Sequence, residues 1–338
     1  MKKRTIFNFL AVSFLLLSSC AKNSKQVAMF IYAKDDTFIM SLSNHLNNIF
    51  KENDITALKY YAERSQSLQN EQITNEIEQN QTDLLIINSV DRLADSAIIE
   101  KAKRYNKPII FYNREPLDRD LPLKGNYYYV GSDFKTEALI QANLVEELFE
   151  NPNSLNTLYD KNKDGKIQFV MLKGEQGHQD TENRSKYSVE ALKDKGYSLD
   201  FLTSAYCNWK RDLAKETFAS IYKDFGDEIE LIIANNDDMA LGAIDYLLEN
   251  KIFSTDVSDV SKQPIQIVGV DATDVAKEAI RNHLMYGTAK NDFKKQADVI
   301  FELSSKILNK EEISDSIFSK NHKIYVAGKA ISIKNLDD

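Results

Sequence analysis

The sequence predicts an α/β protein of two lobes, each a doubly wound parallel sheet with helices on both faces. Three observations predict it. Short apolar, β-branched runs alternate with amphipathic helical stretches almost to the end of the 338 residues. The runs are nearly continuous in their apolarity, as expected of parallel strands buried on both faces. They are also too many for one compact sheet, so the chain divides in two, with the natural break near Val130–Asp133.

The first stretch stands outside this fold. "MKKRTIFNFLAVSFLLLSSC" opens on Lys2, Lys3 and Arg4, continues with an apolar run too short to span a bilayer, and closes on small residues. That is the pattern of a secretory signal over residues 1–19. Its last four residues, Leu17-Ser18-Ser19-Cys20, resemble the bacterial lipobox, which implies lipidation of Cys20. Residues 20–26 then form a polar tether, and the lipid is the expected membrane contact.

From there the alternation begins. "VAMFIYA" precedes a helix predicted over 38–53, "ALKYYA" one over 67–81, and "DLLIINSV" one over 94–106. "PIIFYN" follows, and "YYYVGSD" leads into a helix over 136–150. Beyond the loop "DKNKDGKIQ" the pattern resumes with "KIQFVMLKG" and a helix over 181–195, then "LDFLTSAY" and a helix over 212–225. "IELIIANN" precedes a helix over 238–250, "IQIVGVDA" one over 273–282, and "LMYGTAKN" one over 292–309. "KIYVAG" and "AISI" close the chain as an extended pair.

Composition removes several function classes. A net charge of −8 with no basic stripe argues against nucleic acid. Two cysteines, one consumed by lipidation, leave only Cys207, so no disulfide framework or thiolate zinc site can form. Cys207 itself is expected to be a buried, unreactive thiol. With 11 glycines, no G-x-G-x-x-G and no P-loop, a dinucleotide or phosphate cradle is missing, and with it a dehydrogenase.

In open parallel sheets ligands sit beyond the carboxyl ends of the strands, and here those ends share a chemistry. Asp36 and Phe38 follow the first strand, Asn88 the third. His178, Asp180 and Arg184 follow "VMLKG", and Trp209 follows "LDFLTSAY". Asn235, Asn236 and Asp237, then Asp271, then Asn291 close three more strands. Singly each has a structural explanation: Asp36, Asp180 and Asp237 stand where helix N-caps stand, Arg184 could serve an ion pair, and Trp209 a core. Together they match a pyranose, whose hydroxyls need paired donors and acceptors and whose C–H faces need flat aromatic surfaces.

The loop "DKNKDGKIQ" begins as an EF-hand does. Asp160, Asn162 and Asp164 alternate oxygens and Gly165 is sixth, but the twelfth residue is Met171 where a bidentate glutamate belongs.

These residues resemble those of the periplasmic galactose/glucose-binding proteins, the sugar receptors of ABC importers. The resemblance runs from about Val27 to the C-terminus and is densest in "DKNKDGKIQFVMLKGEQGHQDTENR", "IELIIANNDDMALGA" and "IVGVDA"; "YAKDDTF", "INSVD" and "FYNREP" carry it through the first half. It implies a type I periplasmic-binding-protein fold with a three-crossing hinge near Val130–Ser132, Asn291–Asp292 and Tyr325–Gly328. The lobes would be 27–130 with 292–325, and 131–291 with 326–338. It implies a structural calcium held by Asp160, Asn162, Asp164, Lys166 through its carbonyl, Gln168 and Glu230, the last supplying the missing carboxylate.

It further implies hydrogen bonds to sugar from Asp36, Asn88, His178, Asp180, Arg184, Asn236, Asp271 and Asn291. Phe38 and Trp209 would stack on the ring, with Tyr32 lining the wall. D-glucose or D-galactose is the expected ligand and no reaction is expected. The expected context is an exported, lipid-anchored monomer serving an ABC permease, with a chemoreceptor as an optional second partner. Gln179 and the run Tyr206-Cys207-Asn208 depart locally from the family pattern. A receptor for ribose, xylose or inositol, or a glycosidase using two of the carboxylates, are the competing expectations. A LacI-type regulator would need a helix-turn-helix where this chain has an export signal.

Overall fold

The computed structural model describes residues 25–122, 124–319 and 321–336. The signal segment and Cys20 lie outside them. The first lobe's sheet contains β1 (Gln26–Ile31), β2 (Thr56–Tyr61), β3 (Leu84–Ile87), β4 (Ile109–Tyr112) and β5 (Tyr127–Ser132). Helices α1 (Thr37–Glu52), α2 (Gln66–Gln79) and α3 (Asp95–Arg104) connect them. The chain crosses at Asp133, which caps α4 (Phe134–Phe149), and a short hairpin of β6 (Glu150–Asn151) and β7 (Ser154–Leu155) follows.

The second lobe then runs β8 (Ile167–Lys173), α5 (Gln179–Asp194), β9 (Leu199–Tyr206), α6 (Arg211–Phe225), β10 (Leu231–Ala234), α7 (Asp237–Glu249), β11 (Gln266–Val270), α8 (Asp274–Arg281) and β12 (Gly287–Lys290). A second crossing at Asn291 and Asp292 returns the chain to the first lobe, where α9 (Phe293–Asn309) packs on α1 and β5. There β13 (Lys323–Val326) pairs with β5, and a third crossing delivers β14 (Lys329–Ser332) to the second lobe, antiparallel to β12. The closing extended pair is thus split between two sheets.

The sheet orders are β13-β5-β4-β3-β1-β2 and β14-β12-β11-β10-β8-β9. Each reverses direction once, between β1 and β3 and between β8 and β10, and such switch points open a crevice at the strands' carboxyl ends. Alternate residues feed opposite faces: Val27, Met29 and Ile31 enter one core, Ala28 and Phe30 another. In the second lobe Val170 and Leu172 face one way, Phe169 and Met171 the other. Two-sided burial is why the strands carry no polar alternation.

The expected lobe boundaries shift slightly. Gly131, Ser132 and Val326 remain in the first lobe because Gly131 and Ser132 pair with Tyr325 and Val326. The ladder ends only where its hydrogen bonds do.

Candidate functional site

The two crevices face each other across a pocket lined by both lobes. From the first lobe come Tyr32, Asp36, Phe38, Ile39, Asn113 and Arg114; from the second, His178, Asp180, Arg184, Trp209, Asn236 and Asp271, with Asn291 at a crossing. Of the candidates named from sequence, the structure brings together all but Asn88.

Asn88 is fully buried behind the wall. Its Oδ1 accepts the Tyr32 N–H at 3.4 Å, and its Nδ2 donates to the Tyr112 carbonyl and to Asn113 Oδ1, both at 3.3 Å. The amide that reaches the cavity is Asn113, whose φ of +61° turns it out of the strand line. Sequence reasoning missed Asn113, Arg114 and Ile39. The signal for Asn113 was present, since "FYN" ends a buried strand as "IIN" does.

The helix starts also differ from expectation. Asp36 does cap α1, accepting the Ile39 N–H at 2.9 Å while its other oxygen takes the Tyr32 hydroxyl. The caps of α5 and α7 are His178 and Asn236, however, and Asp180 and Asp237 lie inside those helices. The cap bond orients the histidine: Nδ1 accepts the Asp180 N–H at 3.1 Å, so Nε2 carries the proton. Burial, with Arg114 and Arg184 nearby, holds His178 well below its ordinary pKa. It is therefore a neutral donor.

Arg184 is the buried cation of the second lobe. Its Nε and Nη2 reach Glu137 Oε2 at 2.8 Å, Nη1 reaches the Asn235 carbonyl at 2.8 Å, and Asp180 lies 3.5 Å from Nη2. Asp271 sits on a strained turn with φ of +120°, followed by Ala272 at +56°. Asp237 supports that turn: it accepts the Thr273 N–H at 2.8 Å and the Thr288 hydroxyl at 2.7 Å. Asn291 donates to Asp271 at 3.2 Å and accepts from Gln296 at 2.5 Å, so its amide orientation is fixed. Burial raises both the Asp180 and Asp271 carboxyls, and Arg184 opposes that shift in each.

Phe38 and Trp209 come from opposite lobes and are mostly buried. Trp209 meets the His178 ring edge-on at 5.1 Å. Gly174 makes room for the indole, since a Cβ there would stand 2.1 Å from it. Cys207 is fully buried and burial lifts its thiol to about 11, which makes it inert.

The lobes are closed on one another. Glu175 of the second lobe takes Arg114 at 2.7 Å and Arg64 at 3.2 Å from the first, and Lys210 meets Asp35 at 3.0 Å. The Gln179 amide accepts the Glu115 N–H at 3.2 Å and faces the Glu115 carboxylate at 3.5 Å. Gln179, a local departure in the sequence, is thus an interlobe contact. Arg114 also stacks over the Tyr32 ring at 4.1 Å, tying the clasp to the cavity wall.

The loop 160–168 lies at the far side of the second lobe. Gly165 holds φ of +74°, and Asn162 and Asp164 accept N–H bonds within the loop at 3.0 and 2.9 Å. Glu230 closes it, accepting from Lys161 N–H at 2.6 Å and Gln168 N–H at 3.2 Å. Among the described residues no three His, Cys, Asp or Glu side chains converge as a metal cluster by themselves. An EF-hand-like set also draws on amide and carbonyl oxygens. Two such oxygens, Asp160 Oδ1 and Gln168 Oε1, are buried here without a partner, which suits a hard cation. Burial, with Asp160 adding to it, pushes Glu230 up to about 7.

Chemically the cavity offers carboxyl groups, amides, a neutral imidazole N–H and guanidinium donors, with an aromatic ring from each lobe. It suits a small neutral polyol ring. The carboxylates alternate with amides and cations instead of flanking one bond.

A family model described as periplasmic binding protein domain matches residues 27–312. The D-galactose/methyl-galactoside binding periplasmic protein MglB of Haemophilus influenzae is 33% identical over 91% of this chain and 89% of its own. A putative rhizopine-binding protein of Rhizobium meliloti is 26% identical over 80% of each. An ABC transporter periplasmic solute binding protein from Actinobacillus succinogenes, solved with D-allose, superposes with a TM-score of 0.77 at 20% identity, covering 92% of this chain and 99% of that one. One from Bacillus halodurans with myo-inositol gives 0.76 at 21% identity, covering 93% and 96%.

Proposed function

Because the chain belongs to the periplasmic binding protein domain family, we propose that it captures one D-glucose or D-galactose molecule between its lobes and delivers it to the permease of an ABC importer. Its relatives are transport receptors, and the chain is not an enzyme. The observation that carries the sugar reading is the closed cavity itself: carboxylates, amides, His178 and Arg184 edge it, while Phe38 and Trp209 face it from opposite lobes. A hexose touching both lobes stabilises the closed form by its differential affinity, and that form is what a permease or chemoreceptor meets. The reading includes export, a monomer, and attachment through a lipid on Cys20.

Calorimetric titration with glucose, galactose, allose, ribose, xylose and inositol tests it. Glucose or galactose is expected to bind tightest, and a nitrophenyl hexoside is expected to remain uncleaved. Tighter binding of a pentose or inositol would reassign the ligand, and release of nitrophenol would overturn the receptor reading.

Calcium is part of the same proposal. Asp160, Asn162, Asp164, the Lys166 carbonyl, Gln168 and Glu230 would hold it, pinning the loop to β8 and β10. Saturation at a hundred times Kd would stabilise the lobe by about 2.7 kcal/mol. Chelation is therefore expected to lower Tm by roughly 5–10 °C, at a few degrees per kcal/mol. Glu230 titrates at about 7 in the ion-free loop, so protons compete and calcium affinity falls as pH drops through 7. A melt unmoved by EDTA, with no calcium co-purifying, contradicts this.

A further inference from the structure

We propose that Glu137 is the positioning residue for the site: it sets the Arg184 guanidinium and ties it to the first interlobe crossing. The inference rests on the hexose reading and deepens it. Glu137 is fully buried in the first turn of α4 and does not itself line the cavity. One of its oxygens, Oε2, accepts both Nε and Nη2 of Arg184 at 2.8 Å. Its backbone N–H donates to the carbonyl of Asp133, the crossing residue, at 3.0 Å. Ser132, the residue just before that crossing, helps hold the carboxylate charged. One residue therefore touches the hinge through its main chain and the ligand-facing guanidinium through its side chain.

Arg184 has five N–H donors. Glu137 and the Asn235 carbonyl engage each of its three nitrogens, which fixes the guanidinium plane and directs what remains toward the cavity. A guanidinium so held loses little freedom when it meets a hydroxyl.

The carboxylate is also poised to titrate. The charged and titratable groups facing it are Arg184 and Asp180 from α5, Asp271 after β11, and Tyr129 on β5. Burial, countered by Arg184, brings Glu137 to about 7. Protonation below pH 7 would weaken acceptance of the two Arg184 donors and loosen the guanidinium.

The test is calorimetry of the full chain with D-glucose and D-galactose at pH 8, 7 and 6, for the wild type and Glu137→Gln. The wild-type affinity is expected to fall as pH drops, and Glu137→Gln to be about tenfold weaker at pH 8, with a flatter pH profile. A variant matching the wild type throughout, or weaker with an unchanged pH slope, overturns the proposal. Should that variant not fold, Glu137→Asp keeps the charge on a shorter arm; it is expected to bind more weakly with the pH slope retained, and wild-type affinity would overturn the proposal.

If neither sugar binds the wild type, the hexose reading falls. The NMR signal of the Arg184 Nε–H, which needs no ligand, then decides the coupling. A shift centred near pH 7 that disappears in Glu137→Gln supports it, and an unmoved signal overturns it.

Discussion

Trp209→Ala is expected to weaken hexose binding more than tenfold while the two lobes remain folded. The indole lines the cavity on the second-lobe side and belongs to that lobe's core at the same time. An aromatic ring buries 150–250 Å², of which roughly half would face a ligand; at about 25 cal/mol per Å² that is about 2.5 kcal/mol, or well over tenfold. Its placement is built in from several directions. Asn208 and Trp209 both hold left-handed backbone, at φ of +51° and +65°. The Cys207 N–H donates to Lys173 at 2.7 Å, and Asn236 donates to the Trp209 carbonyl at 3.4 Å. Such strain persists only where neighbours over-determine it. Truncation leaves a void beside Gly174 and His178, so Tm should also fall by several degrees. Unchanged affinity with an intact melt would remove Trp209 from the site.

Arg184→Met is expected to have the larger effect on both counts. The side chain is nearly fully buried, and its removal leaves Glu137 and Asp180 without their counter-charge. Breaking a buried pair from one side costs about 3–5 kcal/mol. The remaining carboxyls, already raised by burial, would rise further because Arg184 is what lowers them. Glu137 sits above its unfolded value, so its charged form opposes folding at neutral pH, and without Arg184 that opposition grows. The variant should therefore melt lower at pH 8 and recover part of the loss at pH 6, where the Glu137 carboxyl is protonated. Two charge-assisted hydrogen bonds to sugar, at about 1.5–3 kcal/mol each, would also vanish. Affinity should drop at least a hundredfold. A melt with no pH-dependent deficit and near-normal binding would contradict the assignment.

Much of this was legible in the chain. Buried parallel strands announce themselves as runs such as "LLII" and "IIFY", and the rule that ligands sit beyond strand ends selects nearly every cavity residue. What failed did so for identifiable reasons. Asn88 and Asn113 both end buried strands; only the left-handed turn at Asn113 decides which amide reaches the cavity, and an asparagine's φ is not written in its neighbours.

The caps failed similarly. Aspartate is a common N-cap, but His178 and Asn236 took that position one or two residues earlier, freeing Asp180 to face inward. Arg114 and Gln179 were missed or left unexplained because their partners, Glu175 and Glu115, stand on the opposite lobe, and no local pattern reports a contact that forms only when the lobes meet. Gly131 and Ser132 stayed with the first lobe because β13, arriving almost two hundred residues later in the chain, extends the ladder to them.

Every role proposed for these side chains requires one hexose held between the lobes. A crystal structure of the protein grown with saturating D-glucose tests it most directly. Pyranose density is expected between the Phe38 and Trp209 rings, with Asp36, Asn113, Asp180, Arg184 and Asp271 at hydrogen-bond distance from its hydroxyls. An empty cleft, or glucose bound elsewhere with those side chains unengaged, would contradict it.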